Sequence, residues 1–272
     1  MAAVINTNMA SLQAQNQLSR TTASLNNTIQ QLSSGLRVNS AADDSSGYAI
    51  AKNMDSIIKG SAVAIRNAND GISLAQTAAG AIETLSNITA RMRELAVQSA
   101  NDSNVTNGTL LDTEFQALAS EADRVLAATE FNQVVVFSAT AFKFQVSPGS
   151  TTVANDTVSL TTTILPKLTL ATAGLIDTQA NAVLALGLLD TSIDELNTVA
   201  ATLGAFQNRM SFAVENLTSL SQSVTAAKSR IVDTDFAAQT AQLSKYQILQ
   251  QAGTAMLAQA NQMGSNVLTL LK

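Results

Sequence analysis

The sequence predicts a mainly α protein, a long antiparallel helical bundle with terminal coiled-coil arms and a small β-hairpin region in the middle. Three observations carry that expectation. Hydrophobic residues make up 46% of the chain but aromatics only 4%, and the 272 residues include just two prolines, Pro148 and Pro166. A core of Ala and Leu with few breakers suits long helices in close lateral contact. Both ends of the chain carry apolar residues at heptad spacing, the signature of a coiled-coil seam. Between 134 and 180 the helical pattern gives way to β-branched, aromatic and Thr-rich runs, which favour strands.

In the first arm Leu18, Leu25 and Leu32 recur every seven residues, with Thr22, Ile29 and Leu36 four residues after each. In the last arm Leu249, Met256, Met263 and Leu270 repeat at the same interval, interleaved with Gly253, Ala260 and Val267. The expected inter-arm seam therefore joins Leu18, Leu25, Ile29, Leu32 and Leu36 to Leu249, Met256, Ala260, Met263, Val267 and Leu270. Arg20 is the single charge from Met1 to Leu36, and Tyr246 to Leu271 has none. Solvent-facing helices normally carry Lys and Glu. Gln, Asn, Ser and Thr instead hydrogen-bond to protein neighbours without the desolvation cost of buried ions, which fits arms surrounded by copies of themselves.

Between the arms, Ala41 to Ser99 reads as one helix near 90 Å long at about 1.5 Å per residue, with Ile57, Ile65, Ile72, Leu74, Ile82, Leu85, Ile88 and Leu95 among its apolar positions. Asn101 to Thr109 reads as a turn. A second helix, Leu111 to Thr129, carries Phe115, Leu118, Ala122, Val125 and Leu126 on one face and should pair with the first as an antiparallel hairpin. Val134 to Phe137, Phe142 to Val146 and Thr157 to Ile164 are the β segments, with a turn at Ser147 to Ser150. Helical pattern resumes at Gln179 and runs to Val232. All eight Phe fall between Phe115 and Phe236, so the aromatic core belongs to the middle of the chain.

Composition narrows the chemistry. Cys, His and Trp are absent, which removes disulfides, most zinc and copper sites and most nucleophile–base pairs. The net charge is −5 and the fifteen basic residues form no stripe, so nucleic acid is not an expected partner. Residues 1 to 20 lack the basic leader of a cleavable signal, and no segment reaches the ~18 apolar residues of a membrane span. No cofactor or metal is expected, and no enzyme. Ser56 and Lys59 match a Ser-x-x-Lys dyad, the basis of a competing hydrolase reading, but stand in a helical run without the companion elements. Asp43-Asp44 and Asp233-x-Asp235 read as helix N-terminal caps rather than paired catalytic carboxylates.

Several segments then identify a family. Val4-Ile5-Asn6-Thr7-Asn8, the run from Leu32 to Asp44 (LSSGLRVNSAADD), Arg66 to Ser73 (RNANDGIS) and Arg93 to Asn101 (RELAVQSAN) closely resemble bacterial flagellins. So do Leu203 to Arg209 (LGAFQNR), Gln247 to Gly253 (QILQQAG) and Leu257 to Gln262 (LAQANQ). The likeness covers roughly residues 1 to 140 and 190 to 272 in the family's order. Gly264 departs where many relatives have Pro, and Gln133 where many have Gly.

The resemblance implies an exported structural subunit that self-assembles into the hollow helical filament of the bacterial flagellum, the extracellular organelle of swimming motility. A hook–filament junction protein is the alternative within the same machinery. The implied domains are a discontinuous inner coiled coil, 1–44 plus 234–272, and a rod-like helical domain, 45–233, in which 134–180 replaces the large variable outer domains of other flagellins. The implied partners are further copies of the chain, the flagellar export apparatus and export chaperone, and the filament cap and hook-junction proteins. An animal innate-immune receptor is also implied, because Arg91, Leu95 and Glu114 match the family's receptor-contact positions. The same three residues are candidates for subunit contact.

Overall fold

The computed structural model describes residues 7–101, 108–137, 141–149, 156–160 and 175–270, with side chains as far as Gln262 in the last helix. Helix α1 spans Met9–Ser34, α2 Ser45–Ser99 and α3 Gly108–Ala128. Two hairpins follow, β1 (Glu130–Phe131) with β2 (Val134–Val135) and β3 (Phe142–Gln145) with β4 (Thr157–Leu160). Helices α4 (Gln179–Val232) and α5 (Phe236–Leu270) complete the chain. Residues 102–107 of the expected Asn101–Thr109 turn, and 161–164 of the third β segment, lie outside the described residues.

Two compact units result, one from Met1–Asp55 with Ser223–Lys272 and one from Ser56–Gln222. The sequence placed the divisions at 44/45 and 233/234. Helices α2 and α4 run unbroken through the observed boundaries, so no turn or composition shift marks them.

In the Ser56–Gln222 unit, α2 buries Ser61, Ala64, Ala68, Gly71, Ala75, Ala78, Ile82, Leu85, Thr89, Met92, Ala96 and Ser99. The spacing alternates three and four without a slip. On α4, Ala182, Ala185, Leu189, Ser192, Leu196, Leu203, Phe206, Met210 and Leu217 follow the same rhythm. A period of 3.5 is that of helices wound about each other with knobs in holes. Most α2 seam residues are small, which lets backbones approach closely. The long apolar side chains expected to define the helix, Ile57, Ile65, Ile72 and Ile88, are half-buried along its flanks. Two of the buried hydroxyls are satisfied within their own helix, Thr89 donating to the Leu85 carbonyl at 2.8 Å and Ser192 to that of Leu188 at 2.9 Å, whereas the Ser61 hydroxyl is buried without a partner among the described residues.

Antiparallel α2 and α3 are tied by Arg91 to Glu114 (2.9 Å), and antiparallel α2 and α4 by Arg93 to Asp190 (2.7 Å). Phe115, fully buried, packs into this core with Leu95 and Met92. Strand β3 lies against it: the Asn67 amide donates to the Gln145 carbonyl at 3.1 Å, and Phe144 meets Phe206 with ring centroids 5.7 Å apart. Beside that strand Pro148 sits on Gly60, where a Cβ would collide with the proline backbone.

Helix ends follow local chemistry. Asn8 caps α1 by accepting from the Ser11 N–H, and Gly35 closes it in the left-handed conformation (φ 71°). Asp44 caps α2 through the Gly47 N–H, and Asp235 caps α5 through the Ala237 and Ala238 N–H groups. Asp43 instead gathers the N–H groups of Asn39 and Ser40 and the Ser40 hydroxyl. Asp233 corrects the capping expectation: it stands just past the end of α4 and accepts from the Ser229 hydroxyl. The chain reverses between β1 and β2 through Asn132 and Gln133, both left-handed (φ 51° and 64°), which is the geometry of a two-residue hairpin loop that favours Asn-Gly.

Two outcomes follow. Gln133 occupies a conformation that costs a side-chain-bearing residue about 1 kcal/mol or more, so Gln133→Gly should raise the melting temperature of the subunit, measured by circular dichroism; a fall would show that the glutamine side chain holds the turn. Hydrogen bonding, chiefly from the Ser40 backbone N–H to Asp43 and from the Gly47 N–H to Asp44, holds both carboxyls below the usual 3.8. Groups depressed on folding contribute stability above their unfolded value and lose it as pH falls through the folded one. Melting temperature should therefore drop as pH is taken below about 4, and less steeply in the Asp43→Asn/Asp44→Asn double variant.

Candidate functional site: the paired terminal arms

Helices α1 and α5 lie antiparallel, and named contacts fix their register from end to end. The Asn8 amide donates to the Ala260 carbonyl at 2.8 Å and the Ser11 hydroxyl to Asn261 at 2.8 Å. Leu18 packs on Gly253, where an added Cβ would stand 3.2 Å from Leu18 Cδ1. At the far end the Gln239 amide donates to Gln31 Oε1 at 2.5 Å. Beyond α1 the ladder continues as backbone bonds: Arg37 N–H to the Val232 carbonyl at 2.6 Å, Thr234 N–H to that of Gly35 at 3.0 Å. The Arg37 guanidinium adds a bond to the Ile231 carbonyl at 2.5 Å, and the Lys228–Asp55 ion pair, also 2.5 Å and two-thirds buried, joins α4 to α2 in the same unit.

The seam differs from the expected one by a single offset. Leu25 is buried, and Leu18 and Leu32 are half-buried, so the Leu heptad faces the partner arm. Its interleaved positions are Thr21 and Thr28, both buried, three residues on from Leu18 and Leu25. Ile29 is corrected: it is 47% exposed and turned outward. Leu36 lies past the helix, bridged to Asp233. On α5 the inward row is Leu243, Tyr246, Gln250, Gly253, Leu257 and Ala260, half-buried or buried. Leu249 (42% exposed) and Met256 (64%) are corrected to the outer surface, while Ala260 is buried. The side chains of Met263, Val267 and Leu270 lie outside those described.

Why threonine takes the seam is a matter of hydrogen bonding. Thr21 donates to the Gln17 carbonyl and Thr28 to that of Ser24, each at 2.9 Å, so the hydroxyl is satisfied within its own helix and the methyl is left to pack. The larger side chains are then free to point away. Met9, Leu12 and Ile29 on α1, and Phe236, Ile248, Leu249 and Met256 on α5, form an exposed apolar surface on arms whose described stretches carry only Arg20 and Lys245 as charges.

The second candidate patch separates. Arg91 and Glu114 are exposed and paired, with Glu94 bound to the same guanidinium at 3.0 Å. Their hydrogen bonds hold the Arg91 guanidinium more firmly protonated than usual, that from Glu114 contributing most. Leu95 is corrected as a surface residue: at 1% exposure it belongs to the core. Ser56 and Lys59 lie on the exposed side of α2. Among the described residues no three acidic side chains gather as metal ligands, and no helix is long and apolar enough to cross a membrane.

A pair of helices that zips together through amides, hydroxyls and apolar side chains, and whose largest exposed side chains are apolar, has the surface of an assembly subunit. Comparison with known proteins names the assembly. The bacterial flagellin N-terminal helical region matches residues 5–141 and the C-terminal helical region residues 186–271. A flagellin of Halalkalibacterium halodurans is 38% identical, covering 99% of this chain and 100% of that one. The flagellar filament 33 kDa core protein of Treponema phagedenis is 35% identical with the same coverage. The crystal structure of Bacillus cereus flagellin superposes with a TM-score of 0.50 and 32% identity, covering 60% of this chain and 94% of that one. The chain belongs to the bacterial flagellin family, the structural subunits of the flagellar filament.

The two faces of the arm pair should respond differently to charge. Leu25→Asp buries a carboxylate between the arms at a cost of several kcal/mol, so the free subunit should lose arm helicity by circular dichroism and fail to polymerise. Met256→Asp should leave that helicity intact. Loss of helicity in both variants, or in neither, would show that the seam is misplaced.

Proposed function

We propose that the chain is exported through the flagellar secretion channel and polymerises outside the cell with its arm pair forming the inner wall of the hollow filament. The observation that carries this reading is the uncharged outer surface of the arms, where Met9, Leu12, Ile29, Leu249 and Met256 stand exposed beside amides and hydroxyls. Each buried Leu or Met side chain contributes about 1.5–3 kcal/mol, and charges would oppose that burial. In the filament the neighbours that cover this surface are further copies of the same arms.

The export apparatus, export chaperone, filament cap and hook-junction proteins are the remaining partners of this reading, supported by the family resemblance. Recognition by an animal innate-immune receptor would rest here on Arg91 and Glu114 alone, with Leu95 supporting them from beneath.

A pair of arms with one shared seam buries little apolar surface against the ordering entropy of two long helices. Free subunits should therefore lose both ends to limited proteolysis, trimmed towards the Ser56–Gln222 unit, whereas filaments should resist. Equal resistance of subunit and filament would refute the proposal that assembly covers the arms.

A further inference from the structure

With no Cys and no Trp, the thioethers of seven methionines are the most readily oxidised groups in the chain. Their surroundings divide them sharply. Met92 and Met210 are fully buried in the core and Met54 is half-buried, while Met9 and Met256 are 65% and 64% exposed. Among the described side chains the two exposed thioethers lie on the arms, within the stretch bracketed by the Asn8–Ala260 hydrogen bond and the Leu18–Gly253 contact. Beside Met9 stands Leu12, and one heptad before Met256 stands Leu249, all on the outer surface.

We propose that Met256 and Met9 form a redox-sensitive modification site that gates assembly. The oxidant is a peroxide. With hydrogen peroxide the sulfur lone pair attacks one oxygen, the O–O bond breaks, and the proton of the transferred oxygen passes to the departing hydroxide, so that an S=O bond forms and water leaves. Sulfur loses two electrons and the peroxide gains them. The product exchanges a flexible apolar end for a strong hydrogen-bond acceptor. Burying that strongly hydrated acceptor costs its desolvation even where a neighbouring amide can donate to it, and its apolar neighbours Leu12 and Leu249 offer no donor. The inference rests on the reading that neighbouring subunits cover this face, so the polymer is protected and the free subunit is the vulnerable form. Reduction by a sulfoxide-reducing enzyme restores the thioether, which makes the gate reversible.

The test treats free subunits and preformed filaments with hydrogen peroxide, follows each methionine by tandem mass spectrometry, and measures polymerisation by light scattering. In free subunits Met9 and Met256 should oxidise before Met92 and Met210. The oxidised subunits should show a critical concentration raised by about tenfold, the change expected of ~1.4 kcal/mol lost per subunit. Methionine sulfoxide reductase should reverse it, and the Met9→Leu/Met256→Leu variant should polymerise normally before and after peroxide. Unchanged polymerisation of subunits carrying sulfoxide at both positions would overturn the gate, as would undiminished peroxide sensitivity in the double variant. Oxidation of Met256 as fast in filaments as in subunits would instead overturn the reading that assembly covers the arms.

Discussion

The antiparallel closure of the first helix on the last is the contact that holds the unit of Met1–Asp55 and Ser223–Lys272 together. Asn8 and Ala260 meet across 252 residues of sequence, yet closure entropy grows slowly, by about 0.6 kcal/mol per doubling of loop length. Much of that distance is already spanned when α2 and α4 pair, because the Lys228–Asp55 ion pair sets α4 beside α2 near the start of the arms. The backbone ladder from Arg37–Val232 to Thr234–Gly35 then hands the register directly to α1 and α5.

Sequence reading recovered the element types and most boundaries, since helical periodicity over fifty residues is hard to mistake. It placed α4 at Gln179–Val232, as observed, and began α2 four residues early because Ala41 and Ala42 are good helix formers that precede the Asp44 cap. Strand β1 went unread: Glu130–Phe131 is too short for a period, and the hairpin depends on a left-handed Asn132-Gln133 pair whose second residue does not advertise it.

Seam residues were less legible, and for one physical cause. Choosing the more apolar interleaved set put Ile29 and Leu36 where Thr21 and Thr28 belong, because a hydropathy pattern counts a threonine hydroxyl as polar even when its own helix satisfies it. On α2 the seam takes Ala, Gly, Ser and back-bonded Thr89 together with Ile82, Leu85 and Met92, while Ile57, Ile65, Ile72 and Ile88 flank it. Leu95 was assigned to the surface by resemblance although its spacing from Leu85 and Met92 places it against Phe115.

On the arms a single row of leucines shares the seam with small or self-satisfied residues while further large apolar side chains stand outward, a division that an isolated bundle has no reason to adopt. A monomeric protein gains most by burying its largest side chains within itself. Here the ion pairs Arg91–Glu114, Arg93–Asp190 and Arg124–Glu121 all lie in the Ser56–Gln222 unit, where exposed charge keeps a surface wet. Leu110, Leu184 and Phe212 are exposed in that unit as well; on the arms Met9, Leu12, Leu249 and Met256 are exposed where Arg20 and Lys245 are the only charges of α1 and α5. A thin seam and a rich outer face leave the arms only marginally held in the free subunit, so that a single charge in the seam is enough to release them.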